Sequence, residues 1–249
     1  MPKTIFISDL HLSPSTHELN SLFLRFIEYV TTQEVDALYI LGDFFNYWIG
    51  NDSMDPWHEK LITAFKAISQ KSKIYFLVGN RDFLINNNSA HILGFELLHK
   101  DINIVSICNK NVVILHGDTL CTHDKKYQRF RKIVRNPLIK SIYLLLPLKI
   151  RQRLAQELKS QSKRNFNNTK NMAIYDVAEE EVGHLFQSSN CDIMIHGHTH
   201  QPKIHEYHHQ GSLKKRYVLG DWHPKGAYYL EASYSGNHTE SNFELKYFT

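Results

Sequence analysis

The stretch Thr4-Ile5-Phe6-Ile7-Ser8-Asp9-Leu10-His11 decides the fold. A short apolar run rich in β-branched and aromatic residues reads as a buried strand. A carboxylate and an imidazole directly after such a run have no packing reason to be there, and they point to chemistry at the strand end. The same arrangement recurs four times. The run at 37–41 leads into Gly42-Asp43, and 73–78 leads into Gly79-Asn80-Arg81-Asp82. The run at 112–115 leads into His116-Gly117-Asp118, and 192–195 into His196-Gly197-His198-Thr199-His200. Sites in α/β sheets form beyond the carboxyl ends of strands, so these five turns are expected in one crevice.

Outward from these runs, the segment at 19–32 places Leu22, Phe23, Phe26, Ile27 and Val30 on one helical face, as a βα unit requires. A second helix is expected over 172–186. After Pro202 the texture changes to short alternating segments at 203–207, 216–219, 226–231 and 243–248, which read as an antiparallel meander. Between Lys125 and Lys170 the strand signal disappears into helix-compatible sequence broken by Pro137 and Pro147. The expected organisation is a core of residues 1–124 and 171–249 with an inserted basic helical cap at 125–170.

Charge marks the same insert. Residues 125–170 carry fourteen Lys and Arg against the single acid Glu157, a net +13, while the rest of the chain carries −9. Such asymmetry marks a surface for an anionic partner. Stacking aromatics, which single-stranded nucleic acid would use, are sparse there, so no nucleic acid is expected. Instead the apolar stretch at 137–150 is bracketed by Lys140, Lys149, Arg151 and Arg153, which suits an anionic membrane surface. The alternative is that Leu144, Leu145 and Leu146 pack the cap onto the core while the charges face water.

No stretch approaches the roughly 18 apolar residues of a membrane span, and Pro2-Lys3 runs straight into the first strand without a signal peptide. A cytoplasmic protein, attached at most to a surface, is the expectation. Cys108, Cys121 and Cys191 are too few and too widely spaced for a disulfide framework or a thiolate zinc site. No obligatory protein partner is evident.

In extended backbone, residues i and i+2 point to one side, so Asp9 with His11 and His198 with His200 read as two metal pincers. With Asp43, Asn80 and His116 they make seven candidate ligands. Oxygen and imidazole donors without thiolates suit Mn²⁺, Fe²⁺ or Zn²⁺. Seven ligands exceed one ion's needs but suit two ions about 3.5–4 Å apart. The other histidines, among them His17, His58, His91 and His205, lack this context and read as surface or turn residues. His196 and His223 read as core or as support for a ligand.

Asp9-x-His11, Gly42-Asp43, Gly79-Asn80-Arg81-Asp82, His116 and Gly197-His198-x-His200 resemble, in order, the motifs of calcineurin-like metallophosphoesterases. The resemblance implies a layered α/β/β/α metallophosphoesterase sandwich with the helical cap inserted. It also implies two divalent metal ions, with Mn²⁺ expected. Asp9, His11, Asp43 and His200 would hold one ion, and Asp43, Asn80, His116 and His198 the other. Arg81 stands where many relatives carry His, and it suggests bidentate stabilisation of phosphate.

More closely, the runs at 40–43, 79–83, 116–121 and 196–200 resemble the branch that hydrolyses UDP-2,3-diacylglucosamine in lipid A synthesis. That similarity implies metal-activated water attack at the uridine-linked phosphorus, giving UMP and 2,3-diacylglucosamine 1-phosphate. Asp43, Asn80, Arg81 and His198 would be catalytic. Asn80, Arg81, Asp124, Ser162, Asn167, Lys170 and His198 would contact the polar parts of the substrate, and Tyr127 and Phe130 would line the acyl cavity. The implied location is peripheral, on the cytoplasmic face of the inner membrane. Asn46 and His123 stand where that branch favours acids, and the spacing from Ser162 to Lys170 is one residue longer. Within enzymes the alternative is another two-metal phosphodiesterase or a nuclease; outside them, a non-catalytic scaffold of the same fold.

Overall fold

The computed structural model describes residues 3–168, 172–209, 211–234 and 241–249. Its elements, in chain order, begin with β1 (Lys3–Ile7), α1 (His17–Thr32), β2 (Val35–Ile40), α2 (Pro56–Ser69) and β3 (Lys73–Leu77). Next come α3 (Asn87–Leu93), β4 (Glu96–Leu98), β5 (Ile102–Ile107) and β6 (Lys110–Leu115). Helices α4 (Lys125–Val134), α5 (Pro137–Leu145), α6 (Leu148–Asn168) and α7 (Glu179–Ser189) precede β7 (Ile193–His196). The chain closes with β8 (Lys203–His209), β9 (Ser212–Val218), β10 (Ala227–Tyr234) and β11 (Ser241–Phe248).

Two sheets result. One has the order β11-β10-β1-β2-β3-β4 and the other β5-β6-β7-β9-β8. Strands β1 to β4 run parallel, as do β6, β7 and β9, while the edges add antiparallel hairpins. Strict alternation of side chains sorts the apolar residues into three cores. On β1, Ile5 and Ile7 join the core that holds Leu22, Phe23 and Phe26 of α1 and Leu61 and Phe65 of α2. Phe6 points the other way, between the sheets, and meets the core that holds Val112, Ile114, Ile193 and Ile195. On the outer face of the second sheet, Val113, Leu115 and Met194 pack with Val182, Leu185 and Phe186 of α7. The layers are therefore α/β/β/α, as expected.

Several sequence readings change. The meander expected after Pro202 is divided: β8–β9 pairs in the second sheet, where β9 lies parallel to β7, and β10–β11 extends the first sheet through β1. Alternation reports a strand but not which sheet it joins. The helix expected at 172–186 is a short 3-10 turn, Met172–Tyr175, followed by α7. Between them Asp176 accepts from the Val177 N–H at 2.8 Å and Ala178 N–H donates to Leu120 O, which diverts the backbone from a continuous helix. Helix α7 then begins with Glu179, Glu180 and Glu181 against its positive end. Strands β4 and β5, absent from the sequence reading, lie at facing ends of the two sheets.

Residues 125–168 form α4 to α6, with no buried residue in α4 or α5. Leu138 and Leu145 are 73% and 84% exposed. Two of the four expected surface cations are engaged. Arg151, 2% exposed, donates to Leu146 O at 2.9 Å and binds Ile49 O and Asp52 across to the core. Lys140 Nζ donates to Phe83 O at 2.7 Å. Only Lys149 and Arg153 of that set face water.

Candidate metal centre

All five strand-end turns meet at one edge of the sandwich, three from the first sheet and two from the second. His200 Nε2 lies 3.2 Å from Asp9 Oδ1 and 3.3 Å from His11 Nε2. Asn80 Oδ1 lies 3.0 Å from both His116 Nε2 and His198 Nδ1. Asp43 stands between these groups, 3.9 Å from His11 Nδ1 through Oδ2 and 3.8 Å from His116 Nε2 through Oδ1.

The backbone device differs from the expected extended pincers. Asp9, His11, Asp43, His198 and His200 all have positive φ, from 52° to 70°. Non-glycine residues avoid this region at a cost of roughly 1–2 kcal/mol each, and they persist there when their surroundings over-determine them. Those surroundings are visible. The Asp9 carboxylate accepts from Ser8 Oγ at 2.6 Å and from His198 N–H at 2.9 Å. Asp82, fully buried, accepts from Gly79 N–H at 2.7 Å and Phe44 N–H at 2.9 Å, so it ties the Asp43 turn to the Asn80 turn. Two close approaches require glycine: a Cβ on Gly79 would sit 2.2 Å from Asp43 Oδ1, and one on Gly197 would sit 2.1 Å from Asp9 Oδ2.

The donor set fits divalent metal. His116 Nδ1 can only donate to the Leu41 carbonyl, 2.8 Å away, which leaves Nε2 aimed at Asn80 Oδ1. In the neutral ring two lone pairs then face each other. Such convergence is stable with a cation between the atoms. Asp9 Oδ1 and His11 Nδ1 are buried without a hydrogen bond among the described residues. Asp9, His11 and His200 form one group able to hold an ion, and Asp9, Asp43 and His116 another.

Electrostatics follow from burial and from these neighbours. Burial would raise Asp9, but the His200 imidazole 3.2 Å away and those of His116 and His11 hold it well below the usual carboxylate range. Burial raises Asp43 against the opposing pull of His116 and Arg81. Asp82 is pushed up to about 7 by burial and by the Asp43 charge. His198 falls to about 4 through burial and the charge of His116. Burial works against a proton on His116 and His200, yet Asp43 and Asp9 respectively raise them, and a divalent cation would displace those protons.

The other predicted site residues are placed unevenly. Arg81 is at the centre, its Nε 3.4 Å from Asp43 Oδ2 and its Nη1 3.3 Å from Asn46 Oδ1. The Tyr127 ring lies 6.2 Å from that of His198 at 29°, and its hydroxyl donates to Asp118 at 2.6 Å. Asp124 caps α4 by accepting from the Tyr127 N–H. Phe130 and Ser162 sit on exposed surfaces of α4 and α6. The Asn167 side chain and all of Lys170 lie outside the described residues. Asp118 also receives Arg131 Nε at 2.7 Å, which makes it the buried junction between α4 and the core. Asp221, absent from the sequence reading, lies 3.5 Å from His200 Nδ1. His58 is buried and completes a capping box with Asp55, against its expected surface placement, and His223 is exposed rather than packed in the core, its Nε2 3.2 Å from Asp221 Oδ1.

Residues 2–202 match the family described as calcineurin-like phosphoesterase, and the chain belongs to that family of metal-dependent hydrolases. Membership implies divalent metal binding, which the cluster just described can provide. Among curated relatives, the UDP-2,3-diacylglucosamine hydrolase of Coxiella burnetii is 40% identical over 248 residues, spanning 100% of this chain and 98% of that protein. The protein of that name from Photorhabdus laumondii is 44% identical over 225 residues, 90% of this chain and 92% of its own length. That from Proteus mirabilis is 44% identical over 231 residues, 92% and 95% of the two chains.

Proposed function

We propose that the protein hydrolyses the pyrophosphate of UDP-2,3-diacylglucosamine to UMP and 2,3-diacylglucosamine 1-phosphate, as a step of lipid A synthesis. The observation that carries this is one edge of the sandwich where seven ligand-type side chains and Arg81 meet beside basic, apolar helices. The near full-length similarity to hydrolases of that name supports the substrate. Asp9, His11, Asp43 and His200 would hold one divalent ion and Asp43, Asn80, His116 and His198 a second, with Mn²⁺ the expected metal. Bound there, such ions supply Lewis acidity and lower the pKa of water.

The chain's own residues do the remaining work. Arg81 binds and orients the phosphate, held in place by Asp43 and Asn46. His198, kept neutral by burial, would offer its remaining ring N–H to developing charge on the phosphate without competing as a cation. Residues 125–170 act as the cap on a core of 1–124 and 171–249. Leu138, Ile142 and Leu145 expose an apolar strip that would lie against acyl chains or the membrane, with Lys149 and Arg153 near anionic headgroups. Among the described residues no helix is long and apolar enough to cross a membrane, and peripheral attachment to the cytoplasmic face of the inner membrane is the proposed location.

A comparison of UDP-2,3-diacylglucosamine, a cyclic nucleotide and DNA as substrates, each with Mn²⁺, tests the assignment. Turnover of the glycolipid alone is expected. DNA cleavage without glycolipid turnover would make the protein a nuclease and would assign the cap's charge to the strand.

A further inference from the structure

A buried guanidinium stands behind the His198 turn. Arg216, on β9 and 2% exposed, directs Nε to Tyr207 Oη at 2.8 Å and Nη2 to Glu179 Oε1 at 3.0 Å. Its Nη1 lies 3.2 Å from Nε2 of His196, which is fully buried. A guanidinium only donates, so His196 Nε2 accepts. The single proton of the neutral ring is therefore on Nδ1, which donates to Gly197 O at 2.8 Å.

That carbonyl belongs to the same peptide unit as the His198 N–H, which donates to Asp9 Oδ2 at 2.9 Å. The peptide between Gly197 and His198 is thus gripped at both ends, by an imidazole on one side and a carboxylate on the other. Immediately after it His198 takes a φ of 70°, and its ring nitrogen comes within 3.0 Å of Asn80. Thr199 N–H also donates to Gly197 O at 2.9 Å, so the plane cannot rotate without losing three bonds.

We infer that Glu179, Arg216 and His196 form a positioning relay that fixes the Gly197–His198 peptide and so aims the His198 ring at the metal cluster. Arg216 selects the imidazole tautomer, and Glu179 and Tyr207 hold Arg216. None of the three touches substrate. The inference rests on the reading of His198 as a metal ligand, and not on the identity of the substrate.

Two substitutions separate positioning from packing. In His196→Asn the amide nitrogen occupies nearly the place of Nδ1 and keeps the donor to Gly197 O, whereas His196→Leu fills similar space without a donor. Both leave Arg216 Nη1 without its imidazole. Calorimetric titration of the metal-stripped proteins with Mn²⁺ should show affinity about tenfold or more weaker in His196→Leu, since partners behind metal ligands typically contribute roughly 10–100-fold. His196→Asn should recover to within about threefold of the parent. Equal losses in both variants, or none in His196→Leu, would overturn the relay. The unsubstituted protein provides a reading that survives a misfolded variant. Long-range proton–nitrogen correlations of histidine-labelled protein should show His196 neutral with its proton on Nδ1, and a proton on Nε2 would refute the inference. Neither measurement involves glycolipid, so the substrate assignment can fail while this stands.

Discussion

Arg81→Lys isolates the phosphate-binding role of the guanidinium while preserving charge. Nε faces Asp43 at 3.4 Å and Nη1 faces Asn46 at 3.3 Å, so neither of these contacts occupies Nη2, which is the donor left for a phosphate oxygen. A lysine ammonium is a single point that cannot reach Asp43, Asn46 and a phosphate together. The variant therefore loses one charge-assisted hydrogen bond to substrate, about 1.5–3 kcal/mol. At 1.36 kcal/mol per decade, kcat/KM should fall about 10- to 150-fold. Initial rates of UMP release from UDP-2,3-diacylglucosamine in mixed micelles with Mn²⁺ measure this, together with metal content by elemental analysis. A variant within threefold of the parent, or one whose loss tracks loss of metal, would refute the assignment of Arg81 to phosphate.

Asp82→Ala removes the acceptor shared by the Gly79 and Phe44 amides, and at about pH 8.5, where this carboxyl is ionised, about 1.5–3 kcal/mol for a hydrogen bond to a charged group implies a loss of about 3 kcal/mol. Calorimetry should show Tm lowered by about 6–12 °C, and an unchanged Tm would remove Asp82 as the tie between the two turns. Chelation should abolish hydrolysis and Mn²⁺ should restore it. Ligating imidazoles must be neutral, and Asp43 and Asp9 favour a proton on His116 and His200, so acid competes with metal there and metal retained after dialysis should be lower at pH 5.5 than at 7.5. Leu138→Asp with Leu145→Asp changes two outward side chains, 73% and 84% exposed. It should reduce sedimentation with anionic vesicles and leave hydrolysis of a small chromogenic phosphodiester unchanged; unaltered sedimentation would restrict this strip to another role.

The sandwich was legible because its strands are short apolar runs ended by polar residues, a pattern that survives in β1, β2, β3, β6 and β7. The seven candidate ligands stood out for the same reason. Their backbone geometry did not, because nothing in Asp9-Leu10-His11 marks a left-handed residue that its neighbours hold in place. Strand β4, three residues long, carries too little alternation to register, and the partition of β8 to β11 between sheets depends on Tyr217 and Leu230 reaching the space between them. Arg151 read as a membrane-facing cation because sequence cannot show Ile49 O and Asp52 waiting across the fold. Asp221 reaches His200 from a distant turn, and Asp118 reaches Tyr127 and Arg131 on α4, contacts without a sequence period.

The most direct test of the hydrolytic assignment is the fate of solvent oxygen. The protein, loaded with Mn²⁺ and given UDP-2,3-diacylglucosamine in water enriched in heavy oxygen, should release UMP carrying one heavy atom and an unlabelled 2,3-diacylglucosamine 1-phosphate by mass spectrometry. Label found only in the sugar phosphate would contradict attack at the uridine-linked phosphorus, and absence of both products would contradict the assignment of the substrate.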